Sequence, residues 1–152
     1  MHYVNIYLNI VGILISYKKA KYYFQPIPTP NIEEPVLYKL FYAWKNGKSE
    51  ARDAFLALSE NEQDEVLSLI ENMLTKGEKY YVRTKIRWKL KSYKYGEIKT
   101  QQNRFFFFKV INNNLVFFGY DYKDQKSLGN ERYKQLNKKY LEYEKEFKRK
   151  KD

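Results

Sequence analysis

Cysteine is absent from this 152-residue chain, and histidine occurs once, as His2 beside the initiator methionine. The first absence removes any disulfide framework or thiolate metal cage and suits a reducing compartment, so a cytoplasmic protein is expected. The second argues against histidine-dependent catalysis and the usual zinc constellations. Acidic side chains are also in short supply: 18 against 29 lysines and arginines, for a net charge of +11. Such self-repulsion tends to persist where the partner is anionic, whether RNA, DNA, an acidic lipid surface or an acidic protein. A long membrane-spanning run is missing too. Residues 3–16 (YVNIYLNIVGILIS) are strongly apolar but too short to cross a bilayer comfortably. No lysine or arginine precedes them and no small-residue cleavage pattern follows, which is a poor fit to a secretory signal. We read them as a dispensable extension; an added β-strand or an upstream start codon are the plain alternatives. Lys18, Lys19 and Lys21 leave membrane attachment as a minor option, and no membrane partner is expected.

Proline is scarce, and all 4 fall between Gln25 and Pro35. Proline removes backbone donors and biases its predecessor toward extended geometry, so this stretch reads as a linker. The chain therefore divides into residues 1–35, an N-terminal extension with a proline-rich linker, and residues 36–152, one domain. With 43% hydrophobic and 18% aromatic residues, that domain has ample material for one core.

Residues 36–44 alternate in strand fashion, and Asn46-Gly47 supplies a turn. Two helices follow, over 49–58 and from Ser59 onward. Ser59 and Glu62 form a capping box, Val66, Leu67, Ile70, Met73 and Leu74 recur at helical spacing, and Gly77 is placed to stop the helix. Glu60, Glu62, Asp64, Glu65 and Glu71 line its outer side; a paired-carboxylate site is the sharper reading, a solvated face the favoured one. In residues 85–91 apolar and basic side chains alternate strictly, which in a strand points Ile86, Trp88 and Leu90 one way and the cations the other. Residues 97–100, 104–110 and 115–120 read as further strands, with a turn at Asn112-Asn113-Asn114. Phe105 to Phe108 run too continuously to be half-exposed, so either both faces are covered or an aromatic edge awaits a partner. A last helix over 130–148 carries Tyr133, Leu136, Tyr140, Tyr143 or Glu144, and Phe147 at three-and-four spacing. Strand, two helices, antiparallel meander and C-terminal helix make an α+β domain.

Three separated stretches now resemble one family. FYAWKNGKSEARDAFLALSENEQDEVLSLIENMLTKG resembles the opening of the phage-derived HigB-like branch of the RelE/ParE superfamily of type II toxins. WKLKSYKYGEIKTQQNRFFFF resembles the family's KLK…ELR…R-hydrophobic stretch, and GYDYKDQKSLGNERY its GF-x-KK-x-x-K-T-P segment. Gly119, Tyr120, Lys123, Lys126 and Ser127 hold matching places, while Tyr122 replaces a lysine and Leu128 the proline. The resemblance covers residues 36–147. It implies a RelE-like fold: a small twisted antiparallel sheet of about four strands, packed by two N-terminal helices and one C-terminal helix. It also implies an endoribonuclease cutting translated mRNA at the ribosome, without metal or cofactor, and neutralised by an acidic antitoxin protein. Within that superfamily the alternatives are a non-catalytic RNA- or ribosome-binding member and a ParE-like gyrase inhibitor.

RNA carries its own nucleophile, the 2′-hydroxyl. A protein cleaves it by aligning that hydroxyl with the phosphorus, stabilising the phosphoryl oxygens and moving two protons, leaving a 2′,3′-cyclic phosphate. Lysine can move protons where neighbouring cations disfavour its charged form, and arginine suits the phosphate clamp. Carried over by position, the resemblance puts Arg104 on the scissile phosphate, Lys99 or Lys123 as general base or acid, and Lys126 on the RNA backbone. Tyr120 or Tyr122 would stack on a base or assist proton transfer. Arg87 and Lys89, from the alternating stretch, are expected to contact RNA backbone or ribosome. Two readings stay open: Asp121 and Asp124 among these cations would orient lysines or blunt the site, and Arg104 would instead pair structurally with Glu97.

Overall fold

Short polar side chains set where the helices begin. In the computed structural model, which describes residues 20–29, 32–82, 84–123 and 129–151, Ser49 accepts from Arg52 N at 3.4 Å and opens α1 (Glu50–Ala57). Ser59 opens α2 (Glu60–Lys76) with a complete capping box: Glu62 N donates to Ser59 Oγ and Ser59 N donates to Glu62 Oε1, each at 3.3 Å. Gly77 ends the helix at φ +66°, where a Cβ would press on Leu37 Cδ1 at 3.1 Å. Conformation and space both favour glycine there. A third helix, α3 (Asn130–Lys151), completes the helical set among the described residues.

The strands are β1 (Tyr22–Ile27), β2 (Lys39–Lys45), β3 (Ile86–Arg87), β4 (Gly96–Thr100), β5 (Asn103–Val110) and β6 (Asn114–Tyr122). They form one sheet in the order β1-β2-β6-β5-β4-β3. All neighbours are antiparallel except β2 and β6, which run parallel with Leu40 opposite Leu115. The helices α1 and α2 provide the crossover region that a parallel return requires. The architecture is thus α+β with three helices, as expected, but the sheet is mixed and has six strands instead of about four antiparallel ones. One extra strand is β1, which lies within residues 1–35 and pairs along its whole length with β2. Pro26 fits there because β1 is an edge strand among the described residues, with one side free of ladder bonds to them. The apolar stretch 3–16 lies outside the described residues. Among the described residues, no helix is long and apolar enough to cross a membrane.

Both faces of the sheet are covered. Phe105 and Phe107 join Leu40, Ile70, Met73 and Ile98 in the core under α1 and α2. Phe106 and Phe108 join Phe118, Leu136, Tyr140 and Phe147 in the core under α3. The continuous run expected at residues 105–108 is therefore split between two cores, both faces being covered, and the expected α3 stripe is buried throughout. Tyr22 adds a tie between β1 and α3, its hydroxyl donating to the Glu142 carboxylate, which Lys45 Nζ also meets at 2.8 Å.

The expected strand over 85–91 is corrected: only Ile86–Arg87 is strand. Trp88 keeps the α2 side, packing on Tyr38 and Phe107 and donating from Nε1 to Tyr80 O at 2.9 Å. Leu90 crosses to the α3 core instead of following Ile86 and Trp88. A tight turn carries it there: Tyr93 N donates to Leu90 O at 2.7 Å, Leu90 N donates to Tyr95 O at 2.9 Å, and Lys91 takes φ +50°. Gly96 lets this segment lie close, since a Cβ would come within 2.5 Å of Arg87 O and 2.8 Å of Trp88 O.

Candidate functional site

Side chains alternate along a strand, so Glu97 and Lys99 share one face of β4, opposite Ile98. Ile98 belongs to the α2-side core, which puts Glu97 and Lys99 on the α3 side. The ladder then gathers their neighbours: Arg87 on β3 lies opposite Glu97, Arg104 on β5 opposite Lys99, and Asp121 on β6 opposite Arg104. Lys123 extends the edge one step further, its N–H donating to Gln102 O at 2.7 Å.

A bulge aims the last of these strands. Phe106 pairs with Gly119 and Phe107 with Phe117, leaving Phe118 as the extra residue. Phe117 packs on the α2 side, so unbroken alternation would send Asp121 there as well. The added residue turns it toward α3, where Arg132 grips it with Nε to Oδ2 at 2.7 Å and Nη2 to Oδ1 at 3.0 Å. Asp121 is thus neutralised by a fork-shaped pair from the first turn of α3.

Glu97 is the centre of the arrangement, only 2% exposed, with Arg104 Nε at 3.5 Å from its carboxylate. Arg104 is held further by its own turn, Nη1 donating to Gln101 O at 2.8 Å and to Asn103 O at 3.0 Å. Burial pushes the Glu97 carboxyl above its usual range, against the pull of Lys99, Arg104, Arg87 and Lys123. For Lys99 burial acts the other way and lowers the ammonium's pKa; Glu97 opposes this, while Arg87, Arg104 and Lys123 add to it. Tyr133, buried at the start of α3, has its phenol pushed up first by burial and then by Glu97. The result is a ring of four cations around one buried carboxylate, walled by a tyrosine. One of its lysines has a destabilised charged form.

Of the residues expected at a site, Lys99, Arg104, Lys123 and Arg87 are brought together here. Tyr120 is not: its ring packs on Phe105 on the α2 side, and its hydroxyl donates to Asn103 Oδ1 at 2.6 Å, which links onward to Glu62. Tyr122, 65% exposed, lies opposite Asn103 at the end of the same ladder. Lys89 is exposed in the turn after β3, and Lys126 and Asp124 fall outside the described residues. Sequence reasoning weighed Glu97 only as a partner of Arg104 and missed Arg132 and Tyr133. The i, i+2 spacing of Glu97 and Lys99 was the signal available for the first. Nothing local announces the other two, because α3 reaches the site only through tertiary packing.

Chemically, the arrangement can hold a phosphodiester against fixed positive charge and move a proton through a lysine. No protein-family model matches the chain, and no match to a curated protein is found.

Proposed function

We propose that the chain is a toxin-type endoribonuclease of the RelE/ParE kind, HigB-like branch, cutting translated mRNA at the ribosome in the cytoplasm. The observation that carries this reading is the convergence of Lys99, Arg104, Lys123 and Arg87 on the buried Glu97, with the Lys99 ammonium disfavoured. In the proposed reaction, neutral Lys99 takes the proton of the ribose 2′-hydroxyl as its oxygen attacks phosphorus. Arg104 and Arg87 hold the phosphoryl oxygens as charge builds there. The bond to the leaving 5′-oxygen breaks and Lys123 delivers a proton to it, leaving a 2′,3′-cyclic phosphate and a free 5′-hydroxyl. Glu97 positions Lys99 and Arg104 and does not touch the substrate.

Inducing the chain in a bacterial host and mapping mRNA 5′ ends tests this. Growth arrest with new 5′ ends is expected from the wild type and not from Arg104→Ala. Unimpaired growth with intact message overturns it. An acidic antitoxin protein covering the cationic ring belongs to the same proposal, and an acidic neighbour-gene product restoring growth on co-expression would support it.

One observation favours a second reading, a non-catalytic RNA- or ribosome-binding member. Arg104 already engages Glu97 and two backbone carbonyls, which leaves less of its fork for a phosphate. In that case Arg104→Ala weakens RNA binding with no cleavage to lose.

A further inference from the structure

Tyr81 is 58% exposed, belongs to neither core and makes no ring contact among the described residues. A tyrosine ring is largely apolar, and leaving it in water forgoes the burial that the other aromatics of this sheet obtain. Its backbone is nonetheless held on both sides. Trp88 Nε1 donates to Tyr80 O at 2.9 Å, and the N–H groups of Lys85 and Ile86 donate to Val82 O at 2.8 and 2.7 Å. Tyr80 packs against the α2-side core, with the Lys76 ammonium 5.3 Å from its ring centroid. Tyr80 is extended, and neighbours in extended chain point apart, so this anchoring turns Tyr81 away from the core. Cations flank it. Lys79 and Lys85 are exposed, and neither forms an ion pair among the described residues. Lys99 N donates to Lys85 O at 2.7 Å, so the segment continues the sheet edge from the cationic ring. One ladder step, one turn and one residue separate Lys99 from Tyr81, at most about 16 Å between Cα atoms.

We infer that Tyr81 is a stacking platform for an unpaired base of single-stranded RNA, a few nucleotides along the strand from the phosphate held in the ring. The inference rests on the proposed RNA reading of that ring. Proteins that hold single strands combine cations tracking the backbone with aromatic faces on which bases stack, and every base has such a face. A firmly seated, outward tyrosine between two unpaired lysines, one of them on the ring's own ladder, supplies both parts. A duplex keeps its bases in its own stack and gains nothing there. The ring thus fixes one phosphodiester, and Tyr81 sets how much flanking strand is engaged without selecting its sequence.

The test uses the full chain and 2′-O-methyl RNA, which cannot be cleaved through its 2′-oxygen: a dinucleotide that occupies the ring alone and a decamer that reaches Tyr81. Tyr81→Ala should weaken the decamer about 5- to 100-fold and leave the dinucleotide unchanged. Tyr81→Phe should retain decamer affinity, and Tyr81→Trp should add tryptophan emission that the decamer quenches and the dinucleotide does not. Equal decamer affinity in wild type and Tyr81→Ala overturns the platform alone. So does a loss that Tyr81→Phe shares, or one that the dinucleotide shows equally. Failure of the wild type to bind the decamer overturns the RNA reading of the cationic ring, and the platform with it. Tyr81-dependent binding without cleavage of natural RNA retains the platform and removes only the nuclease.

Discussion

Lys99 is where a single proton decides between competing chemistries. Its ammonium is disfavoured by burial and by three neighbouring cations, so the neutral amine is reached below the ordinary lysine value of 10.5. Lys99→Met is expected to lower cleavage about 10²- to 10⁴-fold, the usual worth of a positioned proton carrier. Lys99→Arg should not rescue it, since a guanidinium keeps its proton; single-turnover rates on a synthetic RNA check both. The pH dependence follows in sign. Activity that needs neutral Lys99 rises with pH through its depressed pKa. In Glu97→Gln the one neighbour that supports the ammonium is gone, so the rising limb should move to lower pH, read from the pH–rate profile. Folding responds in the same direction: between the depressed value and 10.5 the unfolded chain holds a proton that the folded chain has shed, so Lys99 makes stability rise with pH there. Glu97, raised above 4.5, works the other way: stability falls as pH climbs from 4.5 through its folded value.

At the scale of the element, local rules and distant contacts divided what could be read in advance. Ser59, Glu62 and Gly77 bound α2 through bonds spanning a few residues, so their pattern is plain in sequence. The Asn112 turn and the burial of Phe105 to Phe108 are legible for the same reason. Residues 85–91 misled because their alternation is only part of their environment. Leu90 finds its core across the sheet, and Gly96 permits an approach that no periodicity encodes. The parallel β2–β6 pair and the addition of β1 are likewise nonlocal. The bulge at Phe118 was invisible too, yet it brings Asp121 to Arg132. Two substitutions separate these levels. Ser59→Ala should cost about 1 kcal/mol in urea unfolding and leave RNA binding unchanged. Asp121→Asn weakens the grip on α3 and so should lower stability in the same assay, while RNA affinity should not fall, because a negative charge beside the cationic ring is removed and Arg132 is released.

At the scale of the whole molecule, a net charge of +11 sets how the protein finds an anion before any detail of the site matters. Binding to RNA should weaken steeply as salt rises. Arg104→Ala and Lys123→Ala should each reduce the slope of log affinity against log salt by about one, checked by titration at several ionic strengths. Lys89→Ala, exposed and outside the ring, tests whether any surface cation does as much.

Glu97 gives the ring a resident counter-ion. On the proposed reading, an incoming phosphate competes for the same cations with a carboxylate that is fixed in the fold. That competition would cap how tightly any one nucleotide is held.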